Sequence, residues 1–127
     1  MLFRSEWETA RLEATEGIGQ SRKTSRRKYE ALGLLTRAQA LQRLGRTHEA
    51  ILDAKLAVTV ARSTEDPALL LQALDLVIQI DGDDGLASEA GDTYRRILDA
   101  LPEGEVRQRF GTWDVARRVE KLYQGPA

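Results

Sequence analysis

The chain has 127 residues and a formal net charge of −1, enough length for one domain with a real core, and a charge balance that calls for neither nucleic acid nor an anionic membrane. The absence of cysteine removes disulfides, thiolate catalysis and cysteine metal ligation together. With 42% hydrophobic and 31% charged residues, few aromatics and only three prolines, the composition is that of a folded, helix-rich chain. The start, Met1-Leu2-Phe3-Arg4-Ser5-Glu6, has no apolar core of signal-peptide length. No run reaches the roughly 18 apolar residues that span a bilayer, so the expected setting is the cytoplasm, without membrane contact.

The first predicted helix runs from Ser5, an N-cap followed by acids, to Glu16, with Gly17 and Gly19 as its stop and a ragged stripe of Trp7, Leu12 and Ala14. A second starts near Ser25, exposes Arg and Lys on its first turns, and carries Ala31, Leu34, Leu35, Ala38 and Leu41 at helical steps to Leu44 before Gly45. Thr47 is the expected cap of a third helix, whose stripe of Ala50, Ile51, Ala54, Ala57, Val58 and Ala61 reaches Arg62. The short turn between these two predicts an antiparallel hairpin. Asp66-Pro67 opens a fourth helix by cap and first-turn proline, with Leu69, Leu70, Ala73, Leu74, Val77 and Ile78 inside. The acidic loop 81–85 breaks it, with Asp83 or Asp84 expected to cap the next helix. That fifth helix carries Leu86, Ala90, Tyr94, Ile97, Leu98 and Leu101 up to Pro102. A short segment Glu105–Phe110 and a last helix Trp113–Tyr123, capped by Thr112, complete the expectation of six or seven helices in an all-α fold.

The chain repeats itself. Aligning Gly45 with Gly85 places Ala50 on Ala90, Ala54 on Tyr94, Ala57 on Ile97 and Arg62 on Pro102. The pattern Gly-x4-Ala-x3-(Ala/Tyr)-x2-(Ala/Ile) resembles the second half of a tetratricopeptide repeat. Ala38-x2-Leu41-x3-Gly45-Arg46-x2-Glu49-Ala50 is similar to the middle of that repeat. The family resemblance implies antiparallel helical hairpins stacked as a short right-handed superhelix over 1–127. Its parts are an N-terminal helix at 1–20, repeats at 25–62 and 66–102, and capping helices at 104–123. The period here is 40 residues against ~34 in the consensus, the excess lying in the Val58–Pro67 junction. Asp81 stands where the second repeat wants a large apolar residue. The strings Tyr29-Glu30-Ala31-Leu32-Gly33-Leu34-Leu35-Thr36-Arg37-Ala38, Leu44-Gly45-Arg46 and Ile80-Asp81-Gly82-Asp83-Asp84 further resemble the C-terminal helical-repeat tail of large bacterial signalling proteins of the ATPase and cyclase type. That resemblance covers the tail alone and transfers neither activity.

The polar clusters point away from chemistry. In the loop Asp81-Gly82-Asp83-Asp84-Gly85 the sixth position is Leu86 and the twelfth Asp92, where an EF-hand needs glycine and glutamate, so a solvated turn is expected rather than a metal site. His48 is the sole histidine and lacks the partners a catalytic or metal role needs. Gly17-x-Gly19 lacks the strand and third glycine of a dinucleotide loop. The chain is therefore expected to be non-catalytic and to need no cofactor. Arg22, Lys23, Arg26, Arg27 and Lys28 form a basic patch that offers the alternative of an adaptor contacting nucleic acid or an acidic partner. For nucleic acid it lacks interleaved aromatics, only Tyr29 being adjacent. Trp7, Leu12, Tyr29 and Trp113 are the candidate interface residues, since aromatics anchor interfaces and the ends of a repeat stack need a cap or a partner. The expected function is a protein- or peptide-binding scaffold working through the concave face of stacked hairpins. Weak homodimerisation through the Trp7–Leu12 and Tyr29–Leu35 surface is expected beside it.

Overall fold

Helix-forming residues with apolar side chains at every third or fourth position build one-sided helices. A computed structural model, which describes residues 3–82 and 84–124, consists of such helices joined by short turns. They are α1 (Arg4–Lys23), α2 (Arg27–Arg43), α3 (Thr47–Arg62), α4 (Pro67–Asp81), α5 (Ala87–Ala100), α6 (Glu105–Thr112) and α7 (Asp114–Gln124), with a 3-10 turn at Asp84–Leu86. Among the described residues there is no strand, and no helix is long and apolar enough to cross a membrane.

The first two turns share one geometry. After α2, the Arg46 amide donates to the Leu41 carbonyl and the Gly45 amide to that of Gln42, with Gly45 at φ 78°. After α1, Arg26 donates to Ser21 and Ser25 to Arg22, with Ser25 at φ 56°. Both are Schellman closures, which satisfy two orphan carbonyls and reverse the chain within three residues. Such turns make successive helices antiparallel. Each helix from α1 to α4 packs on the next, α4 also touches α2, and α7 touches α4, α5 and α6. The zigzag sets α2, α4 and α7 along one side and α1, α3 and α5 along the other.

Ile18, Leu34, Leu71, Leu74, Val77 and Val119 are the largest fully buried side chains. Each such burial is worth about 1.5–3 kcal/mol. Three buried carboxylates stitch the helices, each held by arginine. Glu30 accepts from Arg22 and Arg27, Asp53 from Arg37, and Asp75 from Arg118. Among the described residues no buried side-chain polar atom lacks a hydrogen bond, which the low dielectric of a core demands.

Several boundaries differ from the sequence reading. The first helix does not stop at Gly17 but runs through both glycines to Lys23, because Ile18 and Ser21 are buried and their packing outweighs the local cost of glycine. Phe3, not Ser5, is its N-cap, and it makes no side-chain cap bond. The second helix begins at Arg27 rather than near Ser25, whose left-handed backbone belongs to the turn. Thr47 is already helical, with Arg46 as the N-cap. Asp84 starts the 3-10 turn and Leu86 is the N-cap of α5; Asp83 lies outside the described residues. Thr112 ends α6 instead of capping the last helix, and Trp113 is the hinge between α6 and α7. Asp66 does cap α4, accepting from the Leu69 amide at 3.1 Å, with Pro67 in the first turn.

Candidate functional site

The side formed by α2, α4 and α7 carries a groove of about 340 Å³. Three helices supply its floor. Leu35 of α2, Leu76 of α4 and Val115 of α7 are buried there and give it an apolar base. Glutamines stand around that base: Gln39 and Gln42 from α2, Gln72 and Gln79 from α4. The helical period puts them there, since positions three and seven apart return to the same face.

Gln79 differs from the other three. Its Nε2 donates to Asp75 Oδ2 at 2.6 Å, and the same carboxylate accepts from Arg118 Nη2 at 2.8 Å and Nε at 3.1 Å. These bonds hold the Arg118 guanidinium above its ordinary pKa, against the opposing effect of burial. They lock α7 onto α4 and neutralise the buried Asp75. Gln39, Gln42 and Gln72 make no side-chain hydrogen bond among the described residues. An amide side chain both donates and accepts, so these three can pair with either edge of a peptide backbone laid over the apolar floor.

Trp7 of α1 closes one end of the groove, with the Arg43 guanidinium 5.8 Å above its ring in a cation–π contact. The other aromatic candidates lie elsewhere. Trp113 joins an aromatic cluster, its ring 6.2 Å from Phe110, which stacks 5.7 Å from Tyr94, and it packs against the core at the C-terminal end. Leu12 is exposed on α1, away from Trp7, because five residues along a helix turn the chain by well over a quarter circle. Tyr29 is exposed where α2 begins, with Arg26 over its ring at 5.9 Å, while Leu35 is buried in the floor already described. Trp7–Leu12 and Tyr29–Leu35 therefore do not form one surface.

Three of the five basic side chains are paired with acids while staying about half exposed. Arg22 and Arg27 bind buried Glu30 at 3.0 and 3.3 Å, and Lys28 lies 3.7 Å from Asp66. Arg27 also donates to Ser63 Oγ at 3.2 Å. These contacts join the α1–α2 turn to the α3–α4 junction. In the acidic loop, Asp81 pairs with Lys55 at 3.4 Å. His48 is exposed in the first turn of α3. Among the described residues no three His, Cys, Asp or Glu side chains come together as a metal would need.

Neither the glutamines nor Asp75–Arg118 stand out in the sequence as functional residues. Glutamines three apart beside the apolar stripe of α2 were the available signal. The ion pair, 43 residues apart, had none, because no local pattern links α4 to α7. No protein-family model, curated protein or solved structure matches the chain.

Proposed function

We propose that the protein is a non-catalytic interaction module that holds an extended peptide in the groove of α2, α4 and α7. The observation that carries this reading is the combination of an apolar floor, Leu35, Leu76 and Val115, with the amides of Gln39, Gln42 and Gln72, which have no side-chain hydrogen bond among the described residues. An extended segment presents alternating side chains and a row of backbone donors and acceptors. Such a surface recognises both, the floor taking side chains and the amides taking backbone. Rigid walls favour affinity, because little ordering is left for binding to impose. The Asp75–Arg118 pair, held further by Gln79, supplies that rigidity. The zigzag of hairpins, the glycine turn at 45 and the alanines of α3 support reading this as an architecture of the tetratricopeptide type.

The test is selection of random peptides from a displayed library on the full chain, followed by titration with variants. Peptides selected on the native chain are expected to bind at least about tenfold more weakly to the double variant Gln39→Ala, Gln72→Ala, the loss of two backbone hydrogen bonds. Selection of no peptide, or binding indifferent to both glutamines, would remove the proposal.

A further inference from the structure

A second groove, of about 520 Å³, lies on the end face where α1 meets α2. On α1 it is lined by Ala10, Glu13, Ala14 and Gly17, and on α2 by Tyr29 and Gly33. Helix α3 shows what a surface of this kind accepts. Moved along the chain by 40 positions, Ala10, Glu13, Ala14 and Gly17 fall on Ala50, Asp53, Ala54 and Ala57, and Ile18 falls on Val58. Ile18 and Val58 are both buried in the core.

The correspondence holds in space. Thr15 Oγ1 accepts from Arg37 of α2 at 3.2 Å, and its counterpart Lys55 pairs with Asp81 of α4. So α1 meets α2 as α3 meets α4. On α3 the remaining face is closed. Ala50, Ala54 and Ala57 are wholly buried, and Asp53 accepts from Arg37 Nε at 2.6 Å and Nη2 at 2.9 Å. The arginine comes from α2, the helix that precedes α3 in its hairpin. On α1 the matching face is open except at Ala14, which is buried like its counterpart Ala54. Ala10 is only half-buried, Glu13 and Gly17 are exposed, and Tyr29 is 61% exposed beside them. Among the described residues no helix stands against α1 where α2 stands against α3.

We propose that this groove is the docking seat of one further helix of the α2 kind, contributed by a partner. Its occupant is an amphipathic helix antiparallel to α1. It carries apolar side chains on the spacing of Leu34, Ala38 and Leu41, and an arginine three residues after the first of them to pair with Glu13. Two features fit that occupant. Small side chains at Ala10, Ala14 and Gly17 allow a helix backbone to approach closely, as the alanines of α3 allow α2. Glu13 offers the carboxylate that Asp53 offers to Arg37, in a site that docking would desolvate, where an ion pair strengthens.

The probe is a labelled peptide copying residues 26–44, held helical by a lactam bridge outside its apolar stripe and titrated into the full chain. Saturable binding is expected. Gly17→Leu is expected to abolish it, since a Cβ at Gly17 meets nothing within 4 Å and the new side chain occupies the groove without disturbing the fold; circular dichroism checks the fold. Glu13→Arg is expected to weaken binding about tenfold or more, and a peptide bearing Arg37→Glu to restore it. Gln72→Ala, in the other groove, leaves this binding unchanged. Absence of binding, or binding indifferent to Gly17→Leu and Glu13→Arg, overturns the proposal. Self-association of the chain alone that Gly17→Leu dissolves also overturns it, since the occupant would then be a second copy.

Discussion

Two glycines that line the same groove behave in opposite ways. Gly17 lies inside α1, and an added Cβ there meets nothing, so within the fold the residue contributes only its backbone entropy. Gly17→Ala is expected to raise stability by about 0.5–1 kcal/mol. Gly33 of α2 faces α1, and a Cβ would lie 2.8 Å from Ile18 Cγ1, in a side chain 1% exposed. Gly33→Ala is expected to lower stability by about 1–2 kcal/mol, as overpacking does. Ser25 sits at positive φ where its counterpart in the next turn is Gly45, and Ser25→Gly is expected to raise stability by about 1 kcal/mol. Urea unfolding reads all three, and equal signs for the two alanine variants would contradict the packing described. The sequence displays the glycines without their surroundings. Gly17 and Gly19 therefore read as a stop, although buried Ile18 and Ser21 carry the helix past them.

Elements were legible where their signals are local. The stripe Ala50–Ala61 and the turn at Gly45 announced the α2–α3 hairpin, and Asp66-Pro67 announced α4. Thr47, Asp84 and Thr112 misled because a cap depends on which residue leaves the helical backbone region, not on residue type alone. Ala50 is wholly buried, so Ala50→Leu is expected to cost about 1–3 kcal/mol by forcing the hairpin apart. The α3–α5 link has a pH signature. Hydrogen bonding to Arg62 holds Glu89 below the ordinary carboxylate pKa, against the opposing effect of burial. A depressed folded-state pKa adds stability that is present above the unfolded value and lost as pH falls through the folded one. Glu89→Gln is therefore expected to shrink the loss of stability between about pH 6 and pH 3, measured by urea midpoints at each pH. An unchanged acid limb would show that the pair carries no such linkage. Arg118→Ala leaves buried Asp75 with Gln79 as its remaining partner and is expected to cost about 1–3 kcal/mol.

At the scale of the molecule the two ends differ. At the C-terminal end, Tyr94, Phe110 and Trp113 stack against the core and α7 buries Val115, Ala116 and Val119. At the other end the α1 face that matches the closed face of α3 stays open. The sequence showed that ends exist and placed aromatics near both. It did not show that Trp113 belongs to a cap while Trp7 borders a groove, because that division depends on which helices become neighbours. The groove of α2, α4 and α7 was similarly hidden, its residues coming from three stretches separated along the chain. Peptide binding in that groove is read at its own glutamines. In a spectrum of the side-chain amides of isotope-labelled protein, titration with a library-selected peptide is expected to shift the resonances of Gln39, Gln42 and Gln72 together, with those of Gln20 and Gln108 unmoved. Shifts confined to residues outside the groove, with these three glutamines silent at saturation, would contradict it.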